Sequence, residues 1–222
     1  MSNFKHPRVY IEEIPSDKKP IEAVETCVTA FVGKTTKGPV SKAERIQSFN
    51  EYKRIYGDIA SEKDTMGLAV QSFYLNGVRS AVICRLGSEG FTYLTVNDYT
   101  DFYEGFLEKI QDVSIVLTPG EYWAGDGSGN PVITATLLHC EKMQNRMAII
   151  DPSPNVELDH VTEVNKLNLP SSPYSVLYYP WVTIANPFYK TNSRAEKTAA
   201  VAPSAFAAGI WCRTDLRQGV LS

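Results

Sequence analysis

The chain reads as an α/β fold: a mostly parallel or mixed sheet flanked by helices, with an extended N-terminal arm. Three observations predict this. Short apolar runs recur at 26–33, 80–87, 113–120, 147–151 and 174–184, the pattern of strands buried on both faces. Helical patterns separate them, and alternation at that spacing argues a parallel sheet. The segment 201–220 then sets Ala205, Ala208, Gly209 and Cys212 at i, i+3, i+4 and i+7. A helix with so small a face can lie very close to what it covers. It follows YSVLYYPWVTI (174–184), which reads as one buried strand continuing past Pro180.

Taken in order, residues 1–24 form the arm and 25–222 a single core domain. Within the arm, Val9, Tyr10, Ile11, Glu12, Glu13 and Ile14 have strand composition, with Val9 and Ile11 on one face and Tyr10 and Glu12 on the other. Pro7, Pro15 and Pro20 fence this stretch off. A lone six-residue strand cannot bury itself, so it must pair with an edge. That edge belongs either to its own domain or to a neighbouring chain. TCVTAFVG (26–33) is a buried strand, and Gly38-Pro39 marks a turn. Ser48 to Glu51 fits a capping box, with Phe49, Tyr52 and Tyr56 at helical spacing and Gly57 past the end. A second helix follows in MGLAVQSFYLNG (66–77), ended by Gly77.

Tyr99, Phe102, Tyr103, Phe106, Leu107 and Ile110 make a full amphipathic stripe, with Asp98 placed to cap it. The strand 113–120 stops at Pro119-Gly120, and a loop, EYWAGDGSGN, leads to a helix opening at Pro131 and ending near Asn145. A strand at 147–151 and a weak helix at 159–167 complete the pattern. In the last helix Pro203 and Ser204 signal entry, with Ser204 as N-cap.

Composition bounds the function. The chain has 222 residues and a net charge of -3, so no basic excess points to nucleic acid. No apolar run approaches the ~20 residues of a membrane span, and the N-terminus lacks a signal-peptide core. The expectation is a protein made and kept in the cytoplasm. Cys27, Cys84, Cys140 and Cys212 form no C-x-x-C pair and sit in apolar runs. Buried reduced thiols are therefore expected, with neither a zinc site nor a disulfide framework.

The usual chemistries find no footing. Gly125-Asp126-Gly127-Ser128-Gly129 lacks the Gly-Lys-Ser/Thr ending of a phosphate loop, and Leu137 stands where a calcium loop needs glutamate. It reads as a surface loop. His139 and Cys140 are adjacent on a helix and diverge by about 100°. Asp151 follows a strand end, where catalytic acids are common in α/β folds, but Asp-Pro is also a turn. Arg213 and Asp215 read as an ion pair or carbonyl cap in the last turn. No catalytic residues, cofactor or metal ligands emerge.

Three stretches together resemble the contractile tail sheath family of bacteriophages and related injection machines. PRVYIEEIPS…PIEAVETCVTAFVGKTTKGP is similar to the family's opening, with Arg8 in place of the usual glycine. Tyr178 to Trp181 (YYPW) resembles its strand motif. APSAFAAGIWCRTDLRQGV (202–220) resembles a conserved-pattern segment in its Ser, Ala-Gly, Arg, Asp and Gly-Val positions, departing at Ala202 and Ala205. The resemblance implies a structural subunit that surrounds an inner tube and drives its injection on contraction. It implies partners in other sheath subunits, as rings or a helical lattice, and in tube and baseplate proteins. The arm would hook onto an adjacent subunit. The location would be a virion tail or injection particle, assembled in the bacterial cytoplasm. Family members continue into a second, C-terminal domain and arm, whereas this sequence stops at Ser222. The expectation is a core domain without that half, unable to build a contractile sheath alone. Two other readings stand beside it: a non-contracting paralogue at the baseplate or cap, and an α/β enzyme with a site near Thr118, Asp151 and Tyr179.

Overall fold

Val28–Gly33 forms strand β1, buried at every residue, because its side chains are small or apolar on both faces. The computed structural model describes residues 27–87, 93–154, 156–189 and 196–218. After β1 come β2 (Lys42–Ile46), α1 (Phe49–Tyr56), α2 (Thr65–Leu75), β3 (Ala81–Arg85) and α3 (Val96–Gly105), with a 3-10 turn at Leu107–Lys109. Then follow β4 (Val113–Leu117), α4 (Pro131–Met143), β5 (Met147–Ile150), α5 (Val161–Lys166), β6 (Ser175–Leu177), β7 (Val182–Ala185), β8 (Thr198–Val201) and α6 (Ser204–Gln218).

One six-stranded sheet runs in the order β2-β3-β1-β4-β5-β6, parallel throughout except for β2, which is antiparallel to β3. The expected α/β class holds, and the strands at 113–117, 147–150 and 175–177 are neighbours as their apolar runs predict. Phe31 pairs with Ile83 on one side and Leu117 on the other. The register slips between Val28 and Thr29. Ser114 bridges the slip: Val28 N–H donates to its hydroxyl at 3.0 Å, and that hydroxyl donates to the Val28 carbonyl at 3.3 Å.

Helices cover both faces. One face packs Phe31, Ile83, Ile115, Leu117 and Ile149 under α1, α2 and α6. The other packs Val32, Cys84, Val116 and Ile150 under α3 and α4. Gly209 lies so close to α2 that a Cβ there would meet the Asn76 side chain at 2.9 Å and the Phe73 carbonyl at 3.0 Å. The small face of the last helix is thus pressed against α2.

Several expectations need correction. The run 174–184 is two strands in two sheets: β6 ends at Leu177, the Tyr179–Pro180 peptide is cis, and β7 pairs antiparallel with β8. Proline has no N–H to extend the β6 ladder. β2, largely charged, and β8, only four residues long, match no expected strand. Asp98 is three residues inside α3: its carboxylate accepts the Thr95 N–H at 2.6 Å and the Thr95 hydroxyl at 2.7 Å, completing the cap from the helical side. The stripe breaks at Phe106, left 43 % exposed where α3 gives way to the 3-10 turn.

Ser204 is the first helical residue of α6 rather than its N-cap, since Ala207 N–H bonds the Pro203 carbonyl. Arg213 and Asp215 lie more than one residue from the end of α6, two apart, and make no ion pair with each other. Cys27 and Cys212 are joined as a disulfide across a sequence separation of 185, with their Cα atoms 5.0 Å apart. Parallel topology brings the foot of β1 under the small face of α6, a proximity that spacing in sequence does not encode. Cys84 and Cys140 remain free and buried, and burial pushes the Cys140 thiol up to about 12.

Candidate functional site

Asp151 directly follows β5, and the sheet carries it under the start of α6. Its Oδ1 accepts the Ser204 N–H at 2.8 Å and its Oδ2 accepts the Ser204 hydroxyl at 2.6 Å. Both oxygens therefore hold the exposed donors of a helix that begins 53 residues later. Burial pushes the carboxyl up to about 6, while the two Ser204 bonds pull the other way. The strand's continuation is zipped to the loop after β4: Trp123 N–H donates to the Asp151 carbonyl, and Ser153 N–H to the Trp123 carbonyl. Trp123 Nε1–H donates to Leu167 O at 2.7 Å, and Trp181 Nε1–H to Pro152 O at 3.0 Å.

These bonds surround a narrow cleft of about 80 Å³ lined by Glu62, Thr65, Gly120, Tyr122, Asp151 and Trp181. Tyr122 packs its ring 5.1 Å from that of Trp181. Burial, then the Asp151 charge, raises the Tyr122 hydroxyl to about 12. Of the three residues anticipated for a catalytic site, Asp151 lines this cleft with no free oxygen. The Thr118 carbonyl closes a turn to Glu121 N–H. Tyr179 stands on the surface, 37 % exposed. Trp181 lines the cleft and belongs to the YYPW stretch, whereas Trp123, which pins the strand's continuation beside it, gave no sequence signal.

A second polar cluster lies on the opposite face. Arg146, buried, donates to the carbonyls of Leu107 (3.1 Å) and Ile110 (2.8 Å) and so closes the open end of the 3-10 turn. It also faces His139 Nε2 at 3.3 Å. The imidazole stacks 4.6 Å from the Tyr103 ring, whose hydroxyl bonds Thr136 at 2.7 Å. Burial, and then Arg146, pull His139 down to about 4. A neutral ring that accepts at Nε2 carries its proton on Nδ1, which has no partner among the described residues. This cluster fills and ties the core.

The glycine-rich loop is held by its own turns. Asp126 accepts Ser128 N–H at 2.9 Å, Gly129 lies against Trp123, and Asn130 caps α4. Among the described residues no group of three or more His, Cys, Asp and Glu could hold a metal, and no helix is long and apolar enough to cross a membrane. The strand anticipated to reach a neighbour, Val9 to Ile14, lies outside the described residues. The described chain opens at Cys27, and there it is bonded to Cys212.

Comparison with solved structures gives the fold a context. The chain is similar to a protein of the anti-feeding prophage helical sheath in its contracted state. The TM-score is 0.62 and the identity 19%, covering 99% of this chain and 55% of that one. It is also similar to a protein of the anti-feeding prophage baseplate in its contracted state, with TM-score 0.60 and 17% identity, covering 98% and 54%. The chain thus spans about half the length of the proteins it matches, and shares their fold along nearly all of its own. No protein-family model matches the chain. No curated protein matches it either.

Proposed function

We propose that this chain is a structural subunit of a contractile injection system, standing in its sheath. One observation carries the reading: nearly the whole chain has the fold of an anti-feeding prophage sheath protein. The sequence stretches at 7–39, 178–181 and 202–220 support it independently, since their likeness to tail sheath proteins does not depend on coordinates. The partners proposed are further copies of the chain in rings or a helical lattice, with tube and baseplate proteins at its inner face and end. Val9, Tyr10, Ile11, Glu12, Glu13 and Ile14 are proposed as a strand lent to a neighbour. The particle would be a virion tail or related injection device, assembled in the bacterial cytoplasm. Work would come from energy stored in the assembled lattice, so the role calls for no cofactor.

A baseplate or cap position, without contraction, is the second reading, favoured by the baseplate match. Electron microscopy of native particles labelled with an antibody to this chain separates the two. Label along the tail is expected for a sheath subunit, and label confined to one end for the second reading. A chain absent from every particle fraction overturns both.

A further inference from the structure

At the carboxyl ends of β1 and β3 a cavity of about 470 Å³ opens between the loop after β1 and the start of α2. Its wall sets Lys63 and Arg85 beside one carboxylate, Asp64, with the hydroxyl residues Thr36 and Ser61 next to them. Asp64 is committed elsewhere: Oδ1 accepts Gly67 N–H at 2.9 Å and Oδ2 accepts Ala60 N–H at 3.2 Å. Arg85 is only 8 % exposed. Its guanidinium donates to the Gly38 carbonyl, a neutral acceptor, and no carboxylate of the described residues forms an ion pair with it. Its direct cross-strand partner on β2 is Lys42, another cation, while Glu44 stands opposite Ile83. Like charges placed opposite each other weaken a strand pair, and buried charges are normally paired. Arg85 meets neither condition within the described fold.

We infer that this cavity is an oxyanion-binding site, taking a carboxylate or phosphate group presented by a partner. The planar fork of Arg85 matches the two oxygens of either group, and Lys63 adds a point charge at the mouth. The site stands whether or not the chain belongs to a sheath.

Titration calorimetry on the 222-residue chain tests it. The probes are inorganic phosphate and a tri-glutamate peptide, at ionic strength held constant with sodium chloride. One saturable site is expected, weakened about 10-fold by Lys63→Gln and lost in the charge-reversed Lys63→Glu variant. Lys63 is exposed, so its variant should fold even if Arg85→Lys does not. Lys142→Gln, a cation on the other side of the sheet, should leave binding unchanged. Tighter binding of tri-glutamate assigns the site to protein carboxylates; tighter binding of phosphate assigns it to phosphate groups. No saturable heat with either probe, or equal heat in the Lys63→Glu variant, overturns the inference.

Discussion

The two faces of the sheet are closed by opposite means. Under α2 and α6 the helices come together by having almost no side chain between them: Ala205, Ala208 and Gly209 leave the Phe73 carbonyl within 3.0 Å of where a Cβ would stand. Under α3 and α4 the space is filled, by Tyr99, Phe102, Tyr103 and Leu137, and a buried arginine ties off the chain ends. The first face tolerates no added atom. The second tolerates no lost hydrogen bond.

The covalent tie on the small-residue face carries the largest expected effect. Opening the Cys27–Cys212 bond releases a loop of 185 residues, and loop-closure entropy assigns that about 5 kcal/mol. Thermal melts should show the parent losing stability in reductant while Cys27→Ser stays indifferent to it. A parent equally indifferent would mean the two sulfurs are not bonded in the purified protein.

Gly209→Leu should cost about 3 kcal/mol by overpacking against α2. Leu138→Ala on the outer side of α4, where Leu138 is 61 % exposed, should stay within about 0.5 kcal/mol. Equal denaturation midpoints for both would erase the difference between the faces.

The faces should also respond oppositely to pH. Asp151, raised from 3.8 to about 6, contributes stability that is full below its unfolded pKa and lost as pH rises through about 6. His139, lowered from 6.5 to about 4, contributes stability that is full above its unfolded pKa and lost as pH falls through about 4. Each amounts to roughly 3 kcal/mol, and between pH 4 and 6 they offset each other. Asp151→Asn should therefore unmask a stability that climbs with pH over that window. His139→Phe should unmask one that declines. Two variants with the same profile as the parent would show that neither group titrates as its surroundings dictate. Ser204→Ala should cost less, about 1 kcal/mol, since the Ser204 N–H still reaches Asp151. NMR titration should then place the Asp151 carboxyl higher than in the parent, and a lower value would mean the hydroxyl does not favour the ionised form.

What could be read from the residues follows burial. β1, β3, β4 and β5 announce themselves because both their faces are dry, so apolar side chains run without interruption. β2 hides because an edge strand needs no such run: Lys42, Glu44 and Arg45 occupy three of its five positions, the charges that keep an edge from pairing further. The split of 174–184 was missed because composition is the same on either side of Pro180, and only pairing separates β6 from β7. Two helix starts were placed inside the helix, by three residues at Asp98 and by one at Ser204, for one reason. Asp98 and Ser204 both engage their cap from inside the helix, Asp98 through Thr95 and Ser204 through a carboxylate from another strand. Asp151 was rightly singled out, but its proximity to Ser204 is a product of topology. The cavity at Arg85 gave no signal, since its cations come from separate segments.

The carboxylate that caps α6 has a consequence for the order in which the molecule is made. A chain emerging from the ribosome at ~5–20 residues per second exposes Phe31, Phe73 and Ile83 well before residues 204–218 exist to cover them. The helix that shields them cannot nucleate firmly in isolation, and its missing donors wait on Asp151 at the tip of β5. Closure of that face is thus conditional on a strand already in place, and for several seconds of synthesis the nascent chain presents a greasy, half-roofed sheet. That interval is when a trigger-type chaperone would have something to hold, and when two nascent copies on one message would be most prone to stick to each other.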